Sequence, residues 1–181
     1  MGNIKLGNLE VPLGSILVFV GAVVALISLF LGYVNMEMLV NPVTDTWEKI
    51  TISGTDLISG SINDYETDDL SFVRWMPLLV VIFAIVGLVL AIIPMFAKLS
   101  VDKKIYNIIV AVIMALAVVF AIVFVAMGGG AGLFTGTSAD LIETYLESDG
   151  FKMPLGVGAY LGLIGAIVGL VGAGLNIKEN L

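Results

Sequence analysis

The sequence contains no cysteine, no histidine and no glutamine, and charged residues make up only 13% of its 181 positions. Without cysteine there is no disulfide, no thiolate metal site and no palmitoylation. Without histidine the commonest metal ligand and neutral-pH acid–base group is missing. Neither a Gly-x-x-x-x-Gly-Lys phosphate loop nor a Gly-x-Ser-x-Gly nucleophile elbow occurs. These absences exclude most enzyme chemistry, so the chain reads as a non-enzyme with no cofactor and no metal.

What is present is apolar. Hydrophobic residues make up 59% of the chain, and mean hydropathy is +1.10. So little polar surface cannot cover a soluble globule, which makes a lipid bilayer the expected solvent. Four uncharged apolar runs, at about 13–34, 75–97, 105–128 and 154–175, are each long enough to cross a hydrocarbon core of about 30 Å as a helix. The first run exceeds the h-region of a signal peptide and no small-x-small cleavage site follows it, so it reads as a retained helix. The opening Met-Gly-Asn lacks a Ser or Thr at position 6, where Leu6 stands, and is no myristoylation signal. One membrane domain, 1–181, is expected.

Charge orients it. The short turn between the second and third runs holds Lys98, Lys103 and Lys104 against Asp102, and the tails add Lys5 and Lys178. The other side holds Lys49, Arg74 and Lys152, so both termini are expected in the cytoplasm. Outer loop 36–73 carries Glu37, Asp45, Glu48, Asp56, Asp64, Glu66, Asp68 and Asp69, and outer loop 129–153 adds Asp140, Glu143, Glu147 and Asp149. The outer side therefore holds the acidic excess behind the chain's net charge of −7. An acidic exterior repels nucleic acid and suits cations, basic proteins or plain hydration.

Small residues fall in seams. In the fourth run Gly158, Gly162, Gly165, Gly169 and Gly172 repeat every 3.5 residues on average, with Ala159, Ala166 and Ala173 beside them. The first run echoes this with Gly14, Gly21, Ala25, Ser28 and Gly32, Val18 filling the missing position. The second has Ala84, Gly87, Ala91 and Pro94. In lipid, small residues matter because they let backbones approach. The expected fold is an all-α membrane protein, a left-handed four-transmembrane-helix bundle crossing near +20°, with the fourth helix packed on the first. A glycine seam serves equally at an oligomer interface, so a homo-oligomer or a partner membrane subunit is expected.

No Asp, Glu, Lys, Arg or His lies within the runs. Their polar residues are Ser15, Ser28, Tyr33, Tyr106, Asn107 and Tyr160. Tyr33, Trp75, Tyr106 and Tyr160 read as interfacial anchors, and Pro77 and Pro94 as end prolines that disturb little. A proton relay or an intramembrane protease is not expected; a pore built from several copies and lined by small residues stays open as a reading.

In the first outer loop, 36–40 and 46–53 have strand composition and are joined by Asn41-Pro42. Ile50 and Ile52 share one face, with Trp47, Lys49 and Thr51 on the other. In the second outer loop, Thr137 or Ser138 caps a short helix over 139–147 with Leu141, Ile142, Tyr145 and Leu146 on one side. A small extracellular β-hairpin plus short helix cap is expected, with Trp47, Ile50, Ile52, Leu141, Ile142 and Tyr145 as its contact surface. The run Gly128-Gly129-Gly130-Ala131-Gly132 reads as a helix exit. Asp64-Tyr65-Glu66-Thr67-Asp68-Asp69 begins like a calcium loop, but Asp69 and Trp75 stand where Gly and Glu are required.

Four spans, inside termini and a longer β-rich first outer loop resemble the claudin and peripheral-myelin-protein plan, although Trp47 has no Gly-Leu-Trp-Cys-Cys context. Ser53-Gly54-Thr55-Asp56-Leu57 is also similar to a loop motif of uncharacterised small prokaryotic four-span proteins. The first resemblance implies a structural protein that assembles laterally and presents its outer loops to partners. The expectation is a non-enzymatic membrane scaffold. An accessory subunit of a larger complex, or an oligomeric channel or small-solute transporter, is the alternative.

Overall fold

The computed structural model describes residues 4–6, 9–41, 44, 46–62, 65–66, 72–96, 101–127 and 151–179. Four long helices dominate: α1 (Leu13–Ser28), α3 (Met76–Phe96), α4 (Lys103–Met127) and α5 (Val157–Glu179), with a single-turn helix α2 (Gly54–Ser59) between the first two. Three of them, counting the 3₁₀ turn Phe72–Trp75 that leads into α3, are long and apolar enough to cross a membrane; α1 is equally apolar but only 16 residues long. Each helix packs on two neighbours in the cyclic order α1, α5, α4, α3, with the broadest contact between α1 and α5. Gly14 lies against Gly172 and Gly21 against Gly165, so α1 and α5 run antiparallel. Tyr106 reaches Leu90 and Phe83 stacks on Phe120, which makes α3 and α4 antiparallel too.

The first apolar run does not stay helical over 13–34. Helix α1 ends at Ser28, where Leu29, Phe30 and Leu31 bond back three residues to Leu26, Ile27 and Ser28 in the tightened turn common at helix ends. Strand β3 (Gly32–Asn41) then begins and pairs antiparallel with β4 (Thr46–Ser53). The reason is where backbone groups find partners. Beyond Gly32 they are taken by β4 and by the 154–156 segment, through Asn35 N–H to Pro154 O at 2.9 Å and Gly156 N–H to Tyr33 O at 2.7 Å. A continued helix would leave both of those partners unmatched.

The outer sheet has three strands rather than two, in the order β4-β3-β7, with β7 formed by Phe151–Lys152. The register slips by one residue at Tyr33. A bulge of this kind re-aims side chains, and here it turns both Tyr33 and its neighbour Val34 into the core. Ile52 is buried beside them among Leu57, Val73, Met76, Phe124, Met153 and Ala159. The cover over Ile52 therefore comes from α2, the 3₁₀ turn and the upper ends of α3, α4 and α5. The helix expected over 139–147, with Leu141, Ile142, Tyr145 and Leu146, lies outside the described residues, as do Gly128–Gly132 and most of the 64–69 acidic run; of that run Tyr65–Glu66 forms β6, paired with β5 (Ser61–Ile62). A further pair, β1 (Ile4–Leu6) and β2 (Leu9–Val11), precedes α1.

Helix α2 is nucleated locally. The Ser53 hydroxyl accepts from Asp56 N–H at 3.2 Å, and the Asp56 carboxylate accepts from Ser53 N–H at 2.9 Å. This reciprocal capping box satisfies two donors that a helix start leaves unpaired. Gly60 closes the turn at φ 73, a backbone conformation that favours glycine.

Candidate functional site

Two groups of side chains stand out, one at each end of the bundle, joined by the glycine seam. The seam lies within one chain. A Cβ at Gly21 would collide with the Gly165 carbonyl and stand 2.5 Å from Gly169 N, one at Gly172 would stand 2.7 Å from Val18 N, and one at Gly165 2.7 Å from Ala25 N. These are backbone approaches, which only glycine permits. Gly169 admits the Met114 methyl instead, and Gly87 of α3 receives the sulfur of the same side chain, so Met114 fills the space among α3, α4 and α5. Thioether side chains suit such gaps because they adapt their shape. Gly32 is no part of the helix seam; its missing Cβ makes room for the Thr51 methyl in the sheet. Of the α5 glycines, Gly174 has open space around it.

At the outer end, Gly158 and Gly162 face Tyr33. A Cβ at either would lie 2.7 Å from the ring or the hydroxyl of that residue. Tyr33 was expected to anchor at the membrane interface, but it is only 2% exposed; the bulge and the two glycines let its ring enter the core. Its hydroxyl meets Ser28 Oγ at 2.7 Å, and Ser28 also donates to Ala25 O at 2.7 Å. Ser28 has one proton to give, so Tyr33 is the donor of the pair. The ring packs edge-on to Phe124 at 5.2 Å. Sheet, α1, α4 and α5 are thereby tied together at one point.

At the opposite end, Pro94 sits inside α3. A proline has no N–H for the carbonyl four residues back and crowds the turn before it. The carbonyls concerned are Leu90 and its neighbour Ala91. Tyr106 of α4 donates its hydroxyl to Leu90 O at 2.7 Å, and Ser15 of α1 approaches Ala91 O at 3.5 Å, the long limit of a hydrogen bond. Asn176 of α5 donates to Ser15 Oγ at 3.3 Å, and Asn107 of α4 donates to the Asn176 carbonyl at 3.0 Å. The Asn176 amide oxygen rests against Gly14, where a Cβ would stand. All four helices thus meet in one polar junction. Pro94 was expected to disturb little, and α3 continues past it to Phe96 with the Leu90 carbonyl taken by Tyr106. Asn176 lies one residue past the expected end of the fourth run and so outside the polar residues expected within the runs.

The outward face of the sheet is polar. Glu37 stands between Lys49 and Lys152 in register, with Lys49 Nζ 3.9 Å from its carboxylate. Lys152 Nζ lies 4.4 Å from the Trp47 ring centroid, a cation–π geometry, and Thr51 donates to Asn35 at 3.1 Å. Of the residues expected to form a contact surface, Trp47 is on this face, Ile50 is half-buried beneath it and Ile52 is core; Leu141, Ile142 and Tyr145 lie outside the described residues. The single-turn helix α2 was missed, although its signal, Ser53-x-x-Asp56 followed by Gly60, is present in the sequence. Among the described residues no group of three or more acidic side chains is placed to hold a metal ion. No protein-family model matches the chain, and comparison with curated proteins yields no match.

Proposed function

We propose that the chain is an integral membrane protein that crosses the bilayer four times as a left-handed bundle with both termini in the cytoplasm. It acts without catalysis, as a scaffold whose outer cap is the contact surface for a partner membrane subunit or a second copy. The observation that carries this reading is the inverted polarity of the helices. Phe19, Ile27, Val89, Val112, Val119, Ile122, Ile164 and Val171 are exposed, while Ser15, Ser28 and Asn176 are buried. Such an arrangement suits a solvent of lipid and is costly in water.

The cap is favoured over the helix seam as the contact surface because the glycines of α1 and α5 are already engaged within the chain. What remains outward on the cap is mixed in charge and carries Trp47 beside Lys152. A channel reading draws no support from a single copy, since Met114, Val18 and the alanine seam fill the bundle centre.

The absence of native cysteine makes the topology directly testable. Single cysteines at Thr44 and Lys103 should behave oppositely in sealed right-side-out vesicles: an impermeant maleimide labels Thr44→Cys at once and Lys103→Cys only after permeabilisation. Equal labelling of both sites without permeabilisation would reject the four-span reading. Native mass spectrometry from mild detergent should then show more than one copy or a stoichiometric partner; a lone chain under all mild conditions would reject the scaffold.

A further inference from the structure

Neither the bundle nor the cap gives a role to Arg74, the one arginine of the chain. It lies in the 3₁₀ turn Phe72–Trp75. Val73, buried among Tyr33, Met76 and Phe124, pins that turn to the outer end of the bundle. Residues three apart in a 3₁₀ turn eclipse one another, so Phe72 and Trp75 leave on the same side, and both are exposed. Arg74 is half-buried, with its guanidinium carbon 4.8 Å from the Trp75 ring centroid, a cation–π geometry. Among the described residues the one ion pair joins Lys49 to Glu37, and no carboxylate meets Arg74. A ring covers one face of a guanidinium but accepts none of the N–H bonds in its plane.

The position of Trp75 on α3 indicates what supplies the acceptor. Trp75, Ile82, Val89 and Phe96 follow one another at seven-residue steps, and all four are exposed. Seven residues fall only about 20° short of two full turns, so the four form one line down the outside of the bundle. From Trp75 to Phe96 the line rises about 31 Å, against a hydrocarbon core of about 30 Å. In a bilayer the two aromatic ends then stand at the two interfaces, and the Arg74 guanidinium stands among the outer headgroups. The acceptor abundant there is the phosphodiester, whose oxygens match the guanidinium fork. A zwitterionic headgroup brings its own ammonium to a cation that no described carboxylate balances; a net-anionic headgroup does not.

Resting on the membrane reading above, we infer that Arg74 and Trp75 form a binding site for one anionic phospholipid of the outer leaflet. Arg74 holds the phosphodiester, Trp75 orients the guanidinium from beneath, and the acyl chains lie along Ile82 and Val89.

Trp47→Phe leaves Trp75 as the single tryptophan, so its fluorescence reports lipid at the site. The full chain is reconstituted in vesicles of phosphatidylglycerol and phosphatidylcholine, with one or the other brominated on its acyl chains to quench on contact. Trp75 should favour phosphatidylglycerol about fivefold. Arg74→Gln should remove that preference while Trp75 stays quenched by lipid, and Arg74→Lys should keep a smaller one. A preference absent from the parent, or undiminished in Arg74→Gln, overturns the inference. Should Arg74→Gln fail to insert, seen as loss of all quenching, Arg74→Lys decides, and a full preference there overturns it. Val119→Trp, exposed on α4, is the reference in a chain with both native tryptophans replaced by phenylalanine, and should favour neither lipid. An equal preference at Val119→Trp marks bulk enrichment and overturns the site. So does erosion of the preference by inorganic phosphate beyond that by chloride at equal ionic strength, which would assign Arg74 to free phosphate. Trp75 unquenched while Val119→Trp is quenched overturns the site and leaves the membrane reading standing. Quenching at neither position overturns the membrane reading instead.

Discussion

Removing one oxygen atom from Tyr106 isolates the polar junction around Pro94. In Tyr106→Phe the Leu90 carbonyl loses the donor that stands 2.7 Å away, and Pro94 gives the helix no N–H to replace it. An acceptor left unsatisfied in a buried site costs about 1–3 kcal/mol. Interhelical hydrogen bonds measured in membranes average about 0.6 and reach about 1.7 kcal/mol. Tyr106 is half-buried near a helix end, where water has some access, so a loss of about 1 kcal/mol is expected, roughly a fivefold change in the folding equilibrium. The diagnostic is a double-mutant cycle with Pro94→Ala, which restores the N–H. Because Pro94 is exposed, that change removes little packing. In its background the Leu90 carbonyl is bonded within α3, and Tyr106→Phe should cost little more than the lost side-chain contact. Reversible unfolding in mixed micelles with sodium dodecyl sulfate, followed by Trp47 and Trp75 fluorescence, reads each corner. An equal penalty for Tyr106→Phe in both backgrounds would refute the reasoning, since coupling between touching groups is what a cycle detects.

Further expectations concern the seam and the cap. Gly21→Ala places a methyl against the Gly165 carbonyl and Gly169, and should lower stability in the same micelle assay by about 1–3 kcal/mol. Gly174→Ala, with open space around it, should be neutral or slightly stabilising because alanine favours helix. Ile52→Asp puts a carboxylate where a side chain is 1% exposed; the cap should become protease-sensitive at least tenfold faster while membrane insertion persists, and failed insertion would count against a separable cap. Gly60→Ala forces a Cβ onto a φ of 73 and should destabilise α2 by about 1–2 kcal/mol, visible as faster amide hydrogen exchange over 55–60.

Some features were legible because they depend on neighbours in sequence. The second, third and fourth apolar runs match α3, α4 and α5 within a few residues, since hydropathy over a span-length window is a local sum. The pairing of 36–40 with 46–53, and the burial of Ile52 against the exposure of Lys49, follow from β-branched alternation. The α2 capping box is equally local, written in Ser53, Asp56 and Gly60. The end of α1 was not legible, because residues 29–34 are as apolar as those before them. What stops the helix is the arrival of β4 and the 154–156 segment, more than a hundred residues away in the latter case, which bond the backbone of Tyr33 and Asn35.

The sequence by itself determined the apolar character of the long helices, the number of apolar runs and the positions where a side chain is missing, because composition and period are written in adjacent residues. Only the tertiary structure decided which backbone fills each gap. Gly158 and Gly162 carry the same spacing as Gly165 and Gly172, yet two of them admit a tyrosine ring and two meet another helix. Likewise Pro94 announces free carbonyls in any sequence, but that Tyr106 and Ser15 cover them depends on how α4 and α1 arrive. A missing side chain or a missing N–H fixes that something must fit; the identity of the partner is set by long-range packing, which no local pattern encodes.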